Sequence, residues 1–96
     1  MRNLAVVSGA RLLKAVGNDR RLEILYYLMQ KEMNVTELEK AIGLSQSALS
    51  QHLAILRAED IVKTRREAQT IYYSIKSDKA VEMLQLLDRL YNNSGK

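Results

Sequence analysis

Gln46, Ser47, Ser50 and Gln51 stand at i, i+1, i+4 and i+5 within LSQSALSQHLAILRAEDIV, residues 44–62. On a helix that spacing makes one patch close to the helix N-terminus. The chemistry open to it is the reading of base edges: Gln pairs with adenine through two hydrogen bonds, and Ser pairs with several bases. Short, uncharged side chains also let a helix approach the floor of a DNA major groove. Long charged side chains over the same face would hold it away or tie it to phosphates. The competing reading is an ordinary exposed helix rich in Ser and Gln, or one covered by another protein.

Other residues fit the same chemistry. Arg57, Lys63, Arg65 and Arg66 follow the patch as a basic cluster. Basic runs are often only solvated, but beside a base-reading helix they can neutralise phosphates and place the domain on the duplex. Arg65 and Arg66 are the first choices for backbone or minor-groove contact. Only one of two adjacent strand residues can face the DNA unless the chain bends there. His52 is the single histidine. A bond to phosphate, or one within the domain, suits it better than metal ligation, because zinc sites need three or four ligands. Tyr73 groups with Ile71 and Ile75 on the inner side of a strand, while Tyr72 faces the other way, toward phosphate or solvent.

The elements that must position these groups are legible in outline. Residues 4–16 and 20–31 have helical apolar spacing, with Asn18 or Asp19 capping the second. Thr36 and Glu39 have capping-box spacing at the start of a short helix. Gly43 sits where a left-handed C-terminal residue belongs, and Ser45 can cap the helix that runs to about Ala58. Two helices joined by Gly43-Leu44-Ser45 must turn sharply, which predicts a helix-turn-helix over about residues 36–58. Runs rich in β-branched and aromatic residues then predict a hairpin wing over about 61–75. Its connection RREAQ lacks Gly and Asn, which predicts a longer loop around a type I turn in place of a two-residue turn. Ser77 or Asp78 caps a last helix, about 77–91, and NNSGK reads as a polar tail. The expected order is α-α-α-α-β-β-α, mainly helical with a β-hairpin.

Composition agrees and excludes alternatives. The 96 residues fit one domain, 47% of them are hydrophobic, and the net charge is +4. There is no Cys, which removes disulfides, thiolate metal sites and thiol redox sensing. Absence of Pro, with only four Gly, points to a largely helical chain. No apolar run reaches membrane-span length and no signal-peptide pattern opens the chain, so a soluble, cytoplasmic protein is expected. No second His, Gly-rich phosphate loop or Ser–His–acid set supports an enzyme.

The stretch VTELEKAIGLSQSALSQHLAILRAEDIVKTRREAQTIYYSI resembles the ArsR/SmtB family of bacterial winged-helix transcription regulators. SQSALSQHLAILR and TRREAQTIYYSI look especially like its NolR/HlyU-like branch. The resemblance runs from about Leu12 to Tyr91. It implies a homodimer built on the terminal helices, a recognition helix in each major groove, and wings reaching the minor groove or backbone. Carried over by position, Gln46, Ser47, Ser50, Gln51 and His52 lie in the recognition helix, and Arg65, Arg66, Glu67, Ala68 and Gln69 form the wing. Thr36, Arg57 and Lys63 complete the expected DNA-facing set. Many relatives sense metals through Cys in the first helix of the helix-turn-helix or through His and carboxylates on the last helix. Here Glu39 stands in the first region, and the last helix carries Asp78, Glu82 and Asp88 without His. No cofactor or bound metal is expected.

The terminal helices support the dimer independently of the resemblance. Leu4, Val6, Val7, Leu12, Leu13 and Val16 cover too much of the first helix for one buried stripe. Val81, Met83, Leu84, Leu86, Leu87, Leu90 and Tyr91 do the same in the last. Such helices need cover on more than one side, which a two-fold partner supplies. Glu82, Asp88 and Arg89 together make a poor lipid-binding face, so no membrane partner is expected. The function expected is a sequence-specific transcription regulator on a palindromic operator, as repressor or anti-silencer. The alternative is a winged helix used for protein contact alone.

Overall fold

The computed structural model describes residues 3–92. Helices and strands follow in the order α1 (Leu4–Val16), α2 (Asp19–Gln30), β1 (Met33–Asn34), α3 (Val35–Ile42), α4 (Gln46–Ala58), β2 (Val62–Glu67), β3 (Thr70–Ile75) and α5 (Asp78–Tyr91). This is the expected winged helix-turn-helix with one strand more. The two-residue β1 joins the hairpin to make an antiparallel sheet in the order β1-β3-β2.

Most helix boundaries rest on local capping. Asn18 accepts from the backbone N–H groups of Arg20 and Arg21, Ser45 from Ala48, and Ser77 from Ala80. Each satisfies donors that a helix start would otherwise leave open. One assignment needs correction. Thr36 and Glu39 do not form the capping box of α3; Asn34 and Glu37 do, through reciprocal 2.9 Å bonds. Both pairs have the required spacing. Asn34 prevails because pairing with Tyr72 in the sheet holds it extended, the backbone shape an N-cap needs. Thr36 lies exposed in the first turn.

Two connections beside α4 use left-handed backbone. Gly43 has φ +83° and returns its N–H to the Glu39 carbonyl at 2.8 Å. At the far end Asp60 has φ +59°. Asp60 N–H reaches Arg57 O at 3.0 Å and Ile61 N–H reaches Leu56 O at 2.9 Å, the bond pattern of a Schellman cap. Buried Leu56 and Ile61 seal it.

The hairpin also departs from expectation. Glu67 pairs with Thr70, leaving only Ala68 and Gln69 as the turn. Ala68 has φ +56° and Gln69 is not left-handed, which is the sign pattern of a II′ turn. Strand register imposes this turn on a residue that does not favour it.

The core gathers from every helix and the sheet: Val16, Ile24, Leu25, Leu28, Met33, Leu38, Leu49, Leu53, Leu56, Ile61, Val62 and Leu84 are buried. Tyr73 and Ile75 pack on it as expected, with Tyr26 and Tyr27. The Tyr26 hydroxyl donates to Leu84 O at 3.1 Å, tying α2 to α5, and the Tyr27 hydroxyl donates to Ala41 O. Burial, then the Asp88 charge, pushes the Tyr26 phenol above its ordinary value. Outside this core the terminal helices remain uncovered: Leu4 is 76% exposed, Leu90 62% and Tyr91 76%. Of the expected polar tail, Asn92 closes α5 through Asp88. Residues 93–96 lie outside the described residues.

Candidate nucleic-acid interface

Helix α4 separates its residues cleanly. Leu49, Leu53 and Leu56 are buried against the core. Gln46, Ser47, Ser50, Gln51 and Ala54 are exposed. At about 100° per residue these five span an arc of about 140° that begins beside the leucine stripe and turns away from it. Gln46 is the first helical residue, so the patch begins at the helix N-terminus, where amide groups still face outward. From Gln46 to Ala54 this face carries no charge, and Arg57 follows on the same side in the last turn.

His52 lies at the edge of that face, half-buried. Its Nδ1 stands 3.3 Å from Nη1 of Arg21. A guanidinium has no acceptor, so this contact requires Nδ1 to accept and leaves Nε2–H of a neutral ring as donor. Arg21 also donates from Nε to the Ala15 carbonyl and from Nη2 to the Lys14 carbonyl, at the end of α1. One arginine on α2 therefore joins α1 to α4. Its partners are 6 to 31 residues away, and no local pattern announces them.

The basic cluster divides into two kinds. Arg57, in the last turn of α4, and Lys63, early in β2, are exposed and make no salt bridge among the described residues. Arg66 is exposed and donates from Nε to the Ala68 carbonyl at 3.2 Å, so it curls over the wing tip, with no salt bridge among the described residues. Arg65 is different. Its Nε bonds both oxygens of Glu32, at 3.1 and 3.0 Å, and its Nη2 bonds Glu32 Oε1 at 2.7 Å. Its Nη1 bonds Glu67 at 3.0 Å, and the guanidinium lies 4.7 Å over the Tyr72 ring. The Arg65 hydrogen bonds hold the Glu32 carboxyl below its ordinary range, with Lys63 adding attraction. Glu32 was not visible as a site residue in the sequence, since 33 positions separate it from Arg65.

Strand alternation orders these groups. Lys63, Arg65 and Glu67 share the outer sheet face with Ser74, Tyr72 and Thr70. Arg66 and Ile71 lie at the end of the inner face that carries Val62, Thr64, Tyr73 and Ile75. The adjacent arginines do point to opposite sides. The arrangement as a whole is a neutral helix face beside a wing with cations on both surfaces.

Residues 18–64 match the family described as bacterial regulatory protein, arsR family. The transcriptional activator HlyU of Vibrio cholerae is 54% identical over 80 residues, covering 83% of this chain and 74% of that protein. The chain belongs to the ArsR family. It is a DNA-binding transcription regulator, a class without enzymatic activity. The nodulation protein NolR of Rhizobium meliloti is 51% identical over 84 residues, covering 88% of this chain and 69% of NolR. The solved structure of HlyU from Vibrio cholerae superposes with a TM-score of 0.89 at 47% identity, covering 95% of this chain and 99% of that one. This ArsR-family chain contains no cysteine. Among the described residues no group of three or more His, Cys, Asp or Glu is placed to hold a metal ion. Among the described residues no helix is long and apolar enough to cross a membrane.

Proposed function

We propose that this regulator acts as a homodimer, placing α4 of each protomer in a major groove of a palindromic operator. The observation that carries the reading is the uncharged arc of α4, exposed over Gln46, Ser47, Ser50, Gln51 and Ala54. Gln46 and Gln51 supply amides for paired bonds to bases, and Ser47 and Ser50 supply shorter contacts. His52 offers Nε2–H to a phosphate while Arg21 holds its other nitrogen. Thr36, Arg57, Lys63 and Arg66 contact the sugar–phosphate backbone and fix the register of the helix.

The uncovered apolar surface supports pairing. Leu4, Val6, Val7 and Leu13 of α1 and Leu86, Leu90 and Tyr91 of α5 are exposed in the protomer. A two-fold axis would bury the same patch from each copy and set the two α4 helices about one DNA turn, roughly 34 Å, apart. Operator occupancy in the cytoplasm then represses a promoter or displaces a silencing protein.

Selection of bound duplexes from a random pool tests the reading, followed by affinity measurement across salt. A recovered palindrome is expected. With about 6–10 phosphate contacts, affinity should fall about 10³–10⁵-fold between 50 and 200 mM salt. Absence of saturable duplex binding at low salt would leave a protein-contact module instead.

A further inference from the structure

Arg65 on the wing is already engaged within the protein. Arg65 uses its Nε, Nη1 and Nη2 on two carboxylates, at 2.7–3.1 Å, and lays its plane over Tyr72. The geometry crosses the sheet. Arg65 of β2 pairs with Tyr72 of β3, and Tyr72 pairs with Asn34 of β1. Glu32 stands two residues before Asn34, so by strand alternation it belongs to the same face. The side chain of Arg65 therefore reaches over the central strand to the residue leading into the opposite edge.

That edge is short and consequential. Strand β1 has two residues, and its Asn34 caps α3, the first helix of the helix-turn-helix. Whatever fastens the hairpin to β1 fastens the wing to the reading head. Backbone pairing of β1 covers only Met33 and Asn34. Fork-like pairing of a guanidinium with a carboxylate is directional, so it fixes an orientation that a point charge would not.

We propose that Arg65 is a positioning residue and not a DNA contact: with Glu32 it straps the wing to β1 and so sets where Lys63 and Arg66 meet the phosphates. The inference rests on the DNA-binding reading above. Glu67 steadies the second side of the guanidinium, and Tyr72 supports its plane. Lys63, on the same face, and Arg66, on the other, keep unpaired charges for the duplex. The wing thus spends one arginine on its own placement and presents two cations in a defined geometry.

The test measures operator affinity at 0.15 M salt, the salt slope and the hydroxyl-radical footprint for Glu32→Gln, Arg65→Gln, Arg65→Lys and the charge swap Glu32→Arg/Arg65→Glu. Stoichiometric titration of each preparation gives the fraction able to bind, which separates misfolding from weaker contact. At this salt each released counterion is worth a factor of about five. Loss of one phosphate contact in each wing of a dimer should therefore cost over tenfold. Glu32→Gln, Arg65→Gln and Arg65→Lys are expected to lose comparable affinity and to lower the salt slope by about one per lost contact. Their footprints should thin at the flanks and keep the α4 contacts, and the charge swap should recover most of the loss. If Arg65 were itself a phosphate ligand, Glu32→Gln would bind more tightly and Arg65→Lys nearly as well as the unchanged protein. Either result, or no effect from any variant, overturns the proposal. Failure of the unchanged protein to bind duplex at low salt would instead overturn the DNA reading, and this inference with it.

Discussion

Gly43→Ala and Ala68→Gly probe one physical quantity with opposite signs. Gly43 turns the chain between α3 and α4 at φ +83°, and Ala68 turns the wing at φ +56°. A left-handed backbone costs a residue with a Cβ about 1–2 kcal/mol. A Cβ built on Gly43 meets nothing within 4 Å, so no collision adds to that cost. Alanine also restricts the unfolded chain, which returns about 0.4–1 kcal/mol. The net loss for Gly43→Ala is about 1 kcal/mol. For Ala68→Gly the same terms reverse, and because Ala68 is exposed no burial is forfeited. The net gain is again about 1 kcal/mol. For a chain of this size each change should move the midpoint of thermal unfolding by about 4–8 °C, down for Gly43→Ala and up for Ala68→Gly. Gly43→Asn should fall between Gly and Ala, since Asn tolerates this region better. The double variant should lie close to the starting protein, because distant sites add. Calorimetry at one fixed protomer concentration is the assay, since the proposed pairing would make the midpoint concentration-dependent. A shift of both single variants in the same direction, or a loss above about 3 kcal/mol for Gly43→Ala, would refute the reasoning.

Gln51→Ala should reduce discrimination between the operator and single-base variants by about 1–3 kcal/mol per lost base contact; equal losses on operator and scrambled duplex, in a competition assay, would remove Gln51 from base reading. Leu90→Glu puts a charge into the uncovered face of α5. Sedimentation should show the dimer dissociation constant raised by at least about tenfold, since burying one leucine is worth about 1.5–3 kcal/mol. The Glu32 carboxyl, held down first by hydrogen bonds from Arg65, should titrate below 4.5 by NMR and move upward in Arg65→Gln. Its folded value lies below its unfolded one, so the strap's stabilisation is complete above about pH 4.5 and is lost as pH falls through the folded value.

What the sequence disclosed was what neighbours in the chain decide. Gly43, Ser45 and Ser77 act within four residues of themselves, and each turn or cap they imply is present. The spacing of Gln46, Ser47, Ser50 and Gln51 placed one exposed patch of α4 correctly because helical period alone sets it. Thr36 was misleading because Thr36–Glu39 and Asn34–Glu37 satisfy one spacing rule equally. A two-residue strand, too short to show any period, decided between them. The turn at Ala68 was hidden because paired strands, not turn-forming residues, dictate it. Glu32 with Arg65, and Arg21 with His52, meet only once the chain is folded. These contacts separate cations already engaged within the protein from those without an acidic partner among the described residues.

Asn34 belongs to two structures at once, pairing with Tyr72 as a strand residue and capping α3 through Glu37. No slack segment lies between the sheet that carries the wing and α3, because Asn34 of β1 directly precedes that helix. If the wing meets DNA as proposed, a bent or stiff duplex that twisted the hairpin would deliver its torque to the first turn of α3, and the mechanics of the DNA itself would become something this small protein could feel.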